Sequence, residues 1–424
     1  MTTDRPGGRT RTFVVVGANV AGGRAAEALR AGGFEGRLIL IGAEPERPYE
    51  RPPLSKGYLS GQTTDEKLFL RPADYYAEQA IELRLETRAT GLDAETRVVE
   101  LSDGERLGYD ALLIATGAYP RKLAVPGADL DGIVYLRDLR DARALRERLA
   151  TCQRVVVVGA GFIGAEIAAS VRTYYPGREV VMLEALPVPL ERALGPLVGG
   201  LYAEVHRAHG VDLRTGEGVS GFARTGDGEY QVITASGARI GCDLIVVGVG
   251  VAPEVGWLER SGIELRNGVV VDELCRTSLP DVYAAGDVAN WWHPRLGHHV
   301  RVEHFDNAQH QGVAAARSML GQGQPYAPVN YFWSDQYDLS LQYVGHASGD
   351  DEVILRGEVG SASWSAFYVR DGVLKAALAV NRFRDVSAAR QLLARAIPVR
   401  PDQLRDEDVD LKVLARSAGS LPIT

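Results

Sequence analysis

Residues 155–166, VVVVGAGFIGAE, decide the fold of this chain. Four consecutive valines read as a strand buried on both faces, as in a parallel sheet covered by helices. They feed directly into Gly159, Gly161 and Gly164, whose spacing is that of a dinucleotide-binding turn. Each glycine has its own reason. Gly159 permits the tight turn, Gly161 lets the backbone approach a pyrophosphate, and Gly164 lets the following helix pack close to the strand. That helix then offers its unpaired N–H groups and the positive end of its dipole to the phosphates. A second strand, residues 179–184 (EVVMLE), ends in Glu184, placed to accept from a ribose 2′-hydroxyl. Glycines after a strand also make ordinary tight turns, so one such stretch does not settle the reading.

A related stretch near the N-terminus does. Residues 13–16 (FVVV) read as a buried strand and lead into Gly17-Ala-Asn19-Val-Ala21-Gly22. A helical pattern through 24–30, a strand at 37–41 and an acid, Glu44, follow in the same order. Asn19 replaces the middle glycine; Asn tolerates unusual backbone angles, but its side chain crowds the close-approach position. The strand–turn–helix frame survives that change. Two such frames define an α/β protein with two Rossmann-like dinucleotide-binding domains.

Composition narrows the class. At 424 residues the chain can hold two or three domains, and 46% hydrophobic with 24% charged residues is ordinary for a globular protein. A net charge of −8 argues against a general nucleic-acid binder and against an anionic membrane surface. No apolar run approaches the roughly 20 residues of a membrane span. The start, MTTDRPGGRTRT, lacks the apolar core of a secretory signal and reads as a frayed tail. Cys152, Cys242 and Cys275 are widely separated, with no CxxC, no CxxxxC and no zinc spacing. They read as idle thiols in a reducing cytosol, so the expected location is cytoplasmic.

Between and after the two frames the pattern is mixed. Residues 46–61, ERPYERPPLSKGYLSG, form a proline-stiffened connection that would hold two cations, Arg51 and Lys56, in place. The stretch 81–107 reads as an antiparallel meander, and 109–115 as a buried strand closed by Ala115-Thr116-Gly117. Residues 117–126 read as a crossover between domains, 137–150 as an amphipathic helix, and 197–209 as another helix. Residues 225–228 mark a hairpin turn, and 243–249 a buried strand ending at Gly248-Val-Gly250. In residues 282–288, VYAAGDV, Gly286 and Asp287 fall where a strand opens toward a helix, the place for an acid on a cofactor's sugar-like chain. A helix is expected over 307–320. From about 326 five short antiparallel strands, a helix at 386–396 and a charged tail read as a C-terminal α+β domain.

With GANVAG, ERPPLSKGYLSG, LLIATGAYPR, VVVVGAGFIGAEIA, YAAGDVA, RVEHFDNAQHQG and YFWSDQYDLSLQYVG in view, the chain resembles the two-dinucleotide flavoprotein reductases of glutathione-reductase-like fold. More narrowly, it is similar to the NADH-dependent ferredoxin reductases of bacterial oxygenase systems. The resemblance implies a discontinuous FAD-binding domain (1–117 and 241–325), an NAD-binding domain (118–240) and the C-terminal domain (326–424). It implies that Gly17, Ala21, Gly22 and Glu44 hold the ADP half of FAD, with Ala115, Thr116 and Gly117 beside it. Arg51 and Lys56 would line the flavin, Asp287 with Gly286 would bind its ribityl or pyrophosphate portion, and Ala89, Arg137 and Phe305 fall at contact positions. Trp333 would lie near the outer flavin edge. Gly159, Gly161, Ile163, Gly164, Glu184 and Gly250 would bind NADH, the acid repelling a 2′-phosphate. Glu166 matches the acid that pairs with the lysine, so Lys56 and Glu166 are the candidate catalytic residues.

The implied reaction is hydride transfer from nicotinamide to flavin, followed by single electrons to a small iron–sulfur ferredoxin feeding a monooxygenase or dioxygenase. Lys56 would stabilise charge developing on the reduced flavin. Disulfide reductases of this superfold carry cysteines on the loop after the first ribose acid; residues 44–61 contain none. Rubredoxin, a quinone-type small molecule, or an NADH-switched role like that of apoptosis-inducing factor are the alternatives. The chain is expected as a monomer or homodimer, with no nucleic-acid or membrane partner.

Overall fold

The structure is a computed structural model and describes residues 10–226 and 228–417. Most of the N-terminal tail, Asp227 of the 225–228 turn and residues 418–424 lie outside the described residues. The chain divides into two compact units. One comprises the described residues up to Arg51 with Asp65–Tyr119 and Val251–Ala327; the other comprises Pro52–Thr64, Pro120–Gly250 and the described residues from Pro328. The proline-stiffened connection is therefore cut between its two cations, Arg51 falling in the first unit and Lys56 in the second.

The first unit is built on a five-stranded parallel sheet. Its order is Val282–Ala284, Ala111–Ile114, Thr12–Val16, Arg37–Ile41, Ile81–Arg84. Phe13, Val14, Val15 and Val16 are all buried because both faces are covered, which is why the strand shows no polar alternation. The helices Val20–Ala31 and Phe305–Met319 pack on one face against Phe13, Val15 and Leu113. One expectation needs correcting here. Ile81–Arg84 does not begin a meander; it pairs in parallel with Arg37–Ile41 at the sheet edge. Only Ala89–Asp93, Val98–Leu101 and Arg106–Gly108 form the antiparallel sheet. Alternating apolar residues are the same on either kind of strand, so local pattern could not separate the two.

The second unit repeats that plan. Its parallel sheet runs Asp212–Thr215, Glu179–Glu184, Arg154–Val158, Leu244–Val247, Ile133–Tyr135, with the glycine turn again after the central strand. A three-stranded antiparallel sheet, Val219–Arg224, Tyr230–Thr234 and Arg239–Cys242, again precedes the strand that returns to the centre. Strand order reverses beside the central strand in both sheets, the place where open α/β sheets bind ligands. Burying the four valines 155–158, each at most 4% exposed, contributes about 1.5–3 kcal/mol per side chain. The helix expected over 197–209 is the longer part of Glu191–Ala208, which breaks at Gly195, with φ +78° and ψ 171°, before Pro196; a short helical stretch precedes the break. Proline removes an N–H and disfavours helical angles in the residue before it, and glycine accepts the resulting conformation.

The C-terminal part of this unit has the five expected antiparallel strands, ordered Tyr331–Gln336, Leu339–Gly345, Val373–Val380, Trp364–Arg370, Glu352–Gly357. One face packs Val344, Phe367 and Ala377 against the helix Phe383–Arg395 through Ala389 and Leu392. The other packs Leu341, Trp364 and Leu378 with Leu194, Val198 and Tyr202 of the kinked helix. Tyr368 Oη donates to the Leu194 carbonyl at 2.8 Å across that contact. Instead of a featureless charged tail, Pro401–Arg405 and Leu411–Ser417 are helical. Among the described residues no helix is long and apolar enough to cross a membrane.

Candidate functional site

The turn after Arg154–Val158 is shaped for a phosphate. Gly159 has φ +96°, and a Cβ there would lie 2.5 Å from the Gly248 carbonyl oxygen. A Cβ at Gly164 would lie 2.0 Å from the Gly159 carbonyl oxygen, so helix and turn meet only through glycine. Gly161 differs: a Cβ built there meets nothing within 4 Å, leaving room beside the backbone. It is also the N-cap of the helix Phe162–Tyr174, and no side chain caps it. A cavity of about 300 Å³ opens here, lined by Gly159, Gly161, Glu184, Arg192, Glu217 and Gly250 among others. Ile163, outside that lining, is exposed on the first turn of the helix. Glu184 Oε2 accepts from the Ala160 N–H at 2.7 Å and Oε1 from the Leu186 N–H at 2.8 Å. The acid therefore braces the glycine turn besides facing the cavity. These features fit a dinucleotide with a free 2′-hydroxyl.

The first unit carries the companion turn with one alteration. Gly17 has φ +124°, and a Cβ there would stand 2.0 Å from the Ala115 carbonyl oxygen. A Cβ at Gly22 would stand 1.9 Å from the Gly17 carbonyl oxygen. Asn19 is the N-cap of Val20–Ala31: its Oδ1 accepts from the Ala21 and Gly22 N–H groups at 3.0 and 3.3 Å. Its Nδ2 donates to the Ala115 carbonyl. The residue that broke the glycine pattern thus satisfies two first-turn amides itself. We expect Asn19→Ala to lower stability by about 1 kcal/mol in denaturant titration, because those amides lose their acceptor.

Several of the expected residues belong to the same unit as this turn. Thr116 Oγ1 donates to the Glu254 carbonyl at 2.8 Å, and the Gly117 carbonyl accepts from the Glu254 N–H at 3.0 Å. The Gly286 N–H donates to Gln311 Oε1 at 2.9 Å, and a Cβ on Gly286 would come within 2.9 Å of Ala21 Cβ. Arg301 Nη1 donates to the Asp287 carbonyl at 3.1 Å. Phe305 opens the helix Phe305–Met319, and Ala89 opens the first strand of the antiparallel sheet. Glu44 is held by Arg51 Nη2 and by Tyr49 Oη. The junction of turn, strand end and helix tolerates only small residues, a cradle that fits the ADP half of a flavin cofactor. Lys56, Arg137 and Trp333 belong to the other unit.

In that unit lies a buried ion pair. Lys56 Nζ is 2.7 Å from Glu166 Oε2 and also donates to the Pro52 carbonyl at 3.2 Å. Glu166 is 3% exposed, on the inner face of the helix Phe162–Tyr174. Ser55 Oγ donates to its Oε2 and Ser334 Oγ donates to its Oε1 at 2.7 Å. A buried carboxylate needs this many donors, since a desolvated charge is costly unless paired and hydrogen-bonded. Arg137 precedes the helix Leu139–Thr151, its N–H donating to Asp141 Oδ2 at 3.0 Å. Trp333 is partly buried, its ring 6.2 Å from that of Tyr331.

The thiols take no part. Cys152, Cys242 and Cys275 are free and buried, and burial pushes each thiol up, Cys242 to about 12. A thiolate relay has no candidate among them.

Residues 11–312 match the family described as pyridine nucleotide-disulphide oxidoreductase. The chain belongs to that family. Residues 331–415 of this oxidoreductase match a second family, described as reductase C-terminal. Rhodocoxin reductase of Rhodococcus erythropolis is 40% identical over 402 residues, 95% of this chain and 94% of that protein. The 5,5′-dehydrodivanillate O-demethylase ferredoxin reductase subunit of a Sphingobium species is 40% identical over 408 residues, 96% of this chain and 98% of its own length. A crystal structure of the covalent putidaredoxin reductase–putidaredoxin complex superposes with a TM-score of 0.93 at 36% identity, covering 97% of this oxidoreductase and 99% of that chain.

Ser55, Ser334 and Tyr49 were not singled out from sequence. All three sit inside the motifs ERPPLSKGYLSG, YFWSDQYDLSLQYVG and ERPY, but nothing local says which acid a serine or tyrosine will reach.

Proposed function

We propose that this chain is an NADH:ferredoxin oxidoreductase that binds FAD and passes electrons singly to a small iron–sulfur ferredoxin serving a monooxygenase or dioxygenase. One observation carries the reading: the chain holds two dinucleotide turns and a buried Lys56–Glu166 pair, and residues 44–61 hold no cysteine. FAD, when bound, accepts the hydride of NADH and releases electrons one at a time. What the protein adds is orientation and charge. The Gly159–Gly164 turn and Glu184 hold NADH; Gly17, Ala21, Gly22 and Glu44 hold the adenosine half of FAD, and Arg51 lines the flavin. Ala89, Ala115, Thr116, Gly117, Arg137, Gly286, Asp287, Phe305 and Trp333 line the rest of the flavin site, Ile163 and Gly250 the nicotinamide side. Lys56 presents a fixed cation to charge that develops on the flavin, and Glu166 keeps that cation in place.

We assign residues 1–117 and 241–325 to FAD, 118–240 to NADH and 326–424 to partner and flavin-edge contacts. We place the enzyme in the cytoplasm, where its three buried thiols stay reduced.

The test is stopped-flow oxidation of the NADH-reduced enzyme by a panel of ferredoxins, a rubredoxin and a quinone, at varied salt. A ferredoxin should be reduced fastest, with a rate that falls as salt rises, because docking between charged partners is screened. Faster reduction of the quinone or rubredoxin than of every ferredoxin would reassign the acceptor. A yellow preparation that NADH does not bleach without oxygen would end the reading.

A further inference from the structure

We propose that Ser334 is a positioning residue for the Lys56–Glu166 pair, so that the C-terminal domain helps set up hydride transfer; the inference rests on the role given above to Lys56. The two oxygens of Glu166 are served differently. Oε2 takes both Lys56 Nζ and Ser55 Oγ, whereas the donor to Oε1 is Ser334 Oγ, at 2.7 Å. Ser334 and Gln336 lie on the inward face of the strand Tyr331–Gln336, each 1% exposed, and Asp335 between them is exposed on the other face. Gln336 Nε2 donates to Ser334 Oγ at 3.2 Å, which directs the hydroxyl proton toward the carboxylate. Ser55 is fixed in turn, its carbonyl accepting from Ser170 Oγ at 2.7 Å on the same helix as Glu166. The carboxylate is thus pinned from two segments, Ser55 with Lys56 on one and Ser334 on the other, and Lys56 is the charged group paired with it.

Physics gives the consequence. Without the Ser334 hydroxyl, Oε1 is a buried anionic oxygen that has lost a donor, and the cheapest remedy is rotation of the carboxylate toward Lys56. That movement draws Nζ onto Glu166 and away from the position it needs. Ser334 is 1% exposed and its hydroxyl donates to Glu166, so its effect passes through that carboxylate.

The experiment compares Ser334→Ala and Ser334→Thr holoenzymes. The first readout is the infrared carboxylate stretch of Glu166, identified as the band lost in Glu166→Gln. The second is the rate constant and NADH dissociation constant for anaerobic flavin reduction. In Ser334→Ala the band should move and the rate constant fall about tenfold, with NADH binding unchanged. Ser334→Thr, which keeps the hydroxyl, should restore both. An unmoved band with an undiminished rate in FAD-loaded Ser334→Ala overturns the proposal, as does equal slowing in the Ala and Thr variants, which would mean packing alone. Lys56→Ala run alongside separates the two levels. Undiminished reduction in Lys56→Ala defeats the functional reading itself, whereas a slow Lys56→Ala beside a normal Ser334→Ala defeats only the role of Ser334.

Discussion

Lys56→Ala should slow anaerobic reduction of the bound flavin by NADH about 10²–10³-fold while FAD remains bound, the loss typical of removing one preorganised charge from a transition state. The substitution has a second effect that must be separated from the first. It leaves the Glu166 carboxylate, 3% exposed, with two serine hydroxyls and no cation. Removing one partner of a buried pair costs about 3–5 kcal/mol, and the low end applies because the Lys56 side chain is 17% exposed. The double variant Lys56→Ala/Glu166→Gln removes the stranded charge. It should regain most of the lost stability in thermal melts and none of the lost rate. A double variant that recovered both would mean that Lys56 acts only to neutralise Glu166, and the electrostatic role would be withdrawn.

Coenzyme choice provides the second large effect. Glu184→Arg should lower the NADH over NADPH ratio of kcat/KM by about 10²–10³-fold, since it removes an acceptor for the ribose hydroxyl and a negative charge that repels a 2′-phosphate. The structure adds a complication that the sequence did not show. Both oxygens of Glu184 already accept backbone N–H groups, from Ala160 and Leu186. Arginine cannot accept, so part of any loss with NADH will come from a loosened glycine turn. Glu184→Gln keeps an acceptor in the same shape and removes only the charge; for it we expect a change of about tenfold in the ratio, with kcat for NADH nearly kept. If the ratio is unchanged in both variants, Glu184 is a brace for the turn and does not read the ribose.

The two frames show how much was legible beforehand. Gly159 and Gly164 could be read directly, because the reason for each glycine lies within a few residues of it: a positive φ in one case, a carbonyl one helical turn away in the other. The same holds for the unbroken valine strand, which announces a sheet covered on both sides. Asn19 was legible as a departure and not as a solution. Its capping of Ala21 and Gly22 is local, but its second bond reaches the Ala115 carbonyl, just past the C-terminal end of the neighbouring strand. The strand Ile81–Arg84 was misjudged for a related reason, since its partner is chosen by the whole sheet and not by its own four side chains.

By itself, then, the sequence determined that two dinucleotide folds stand in tandem and that no thiol lies where a disulfide relay would need one; that Lys56 and Glu166 belong together was implied only by the family resemblance. Tertiary structure alone decided how that pair is held. Ser334 lies 168 residues from Glu166 along the chain, and which face of its strand it occupies depends on the register with Leu339–Gly345. Backbone constraints act over a turn or two and leave their mark in the local sequence. A buried charge collects its donors from wherever packing brings them, and only the folded chain records which ones arrive.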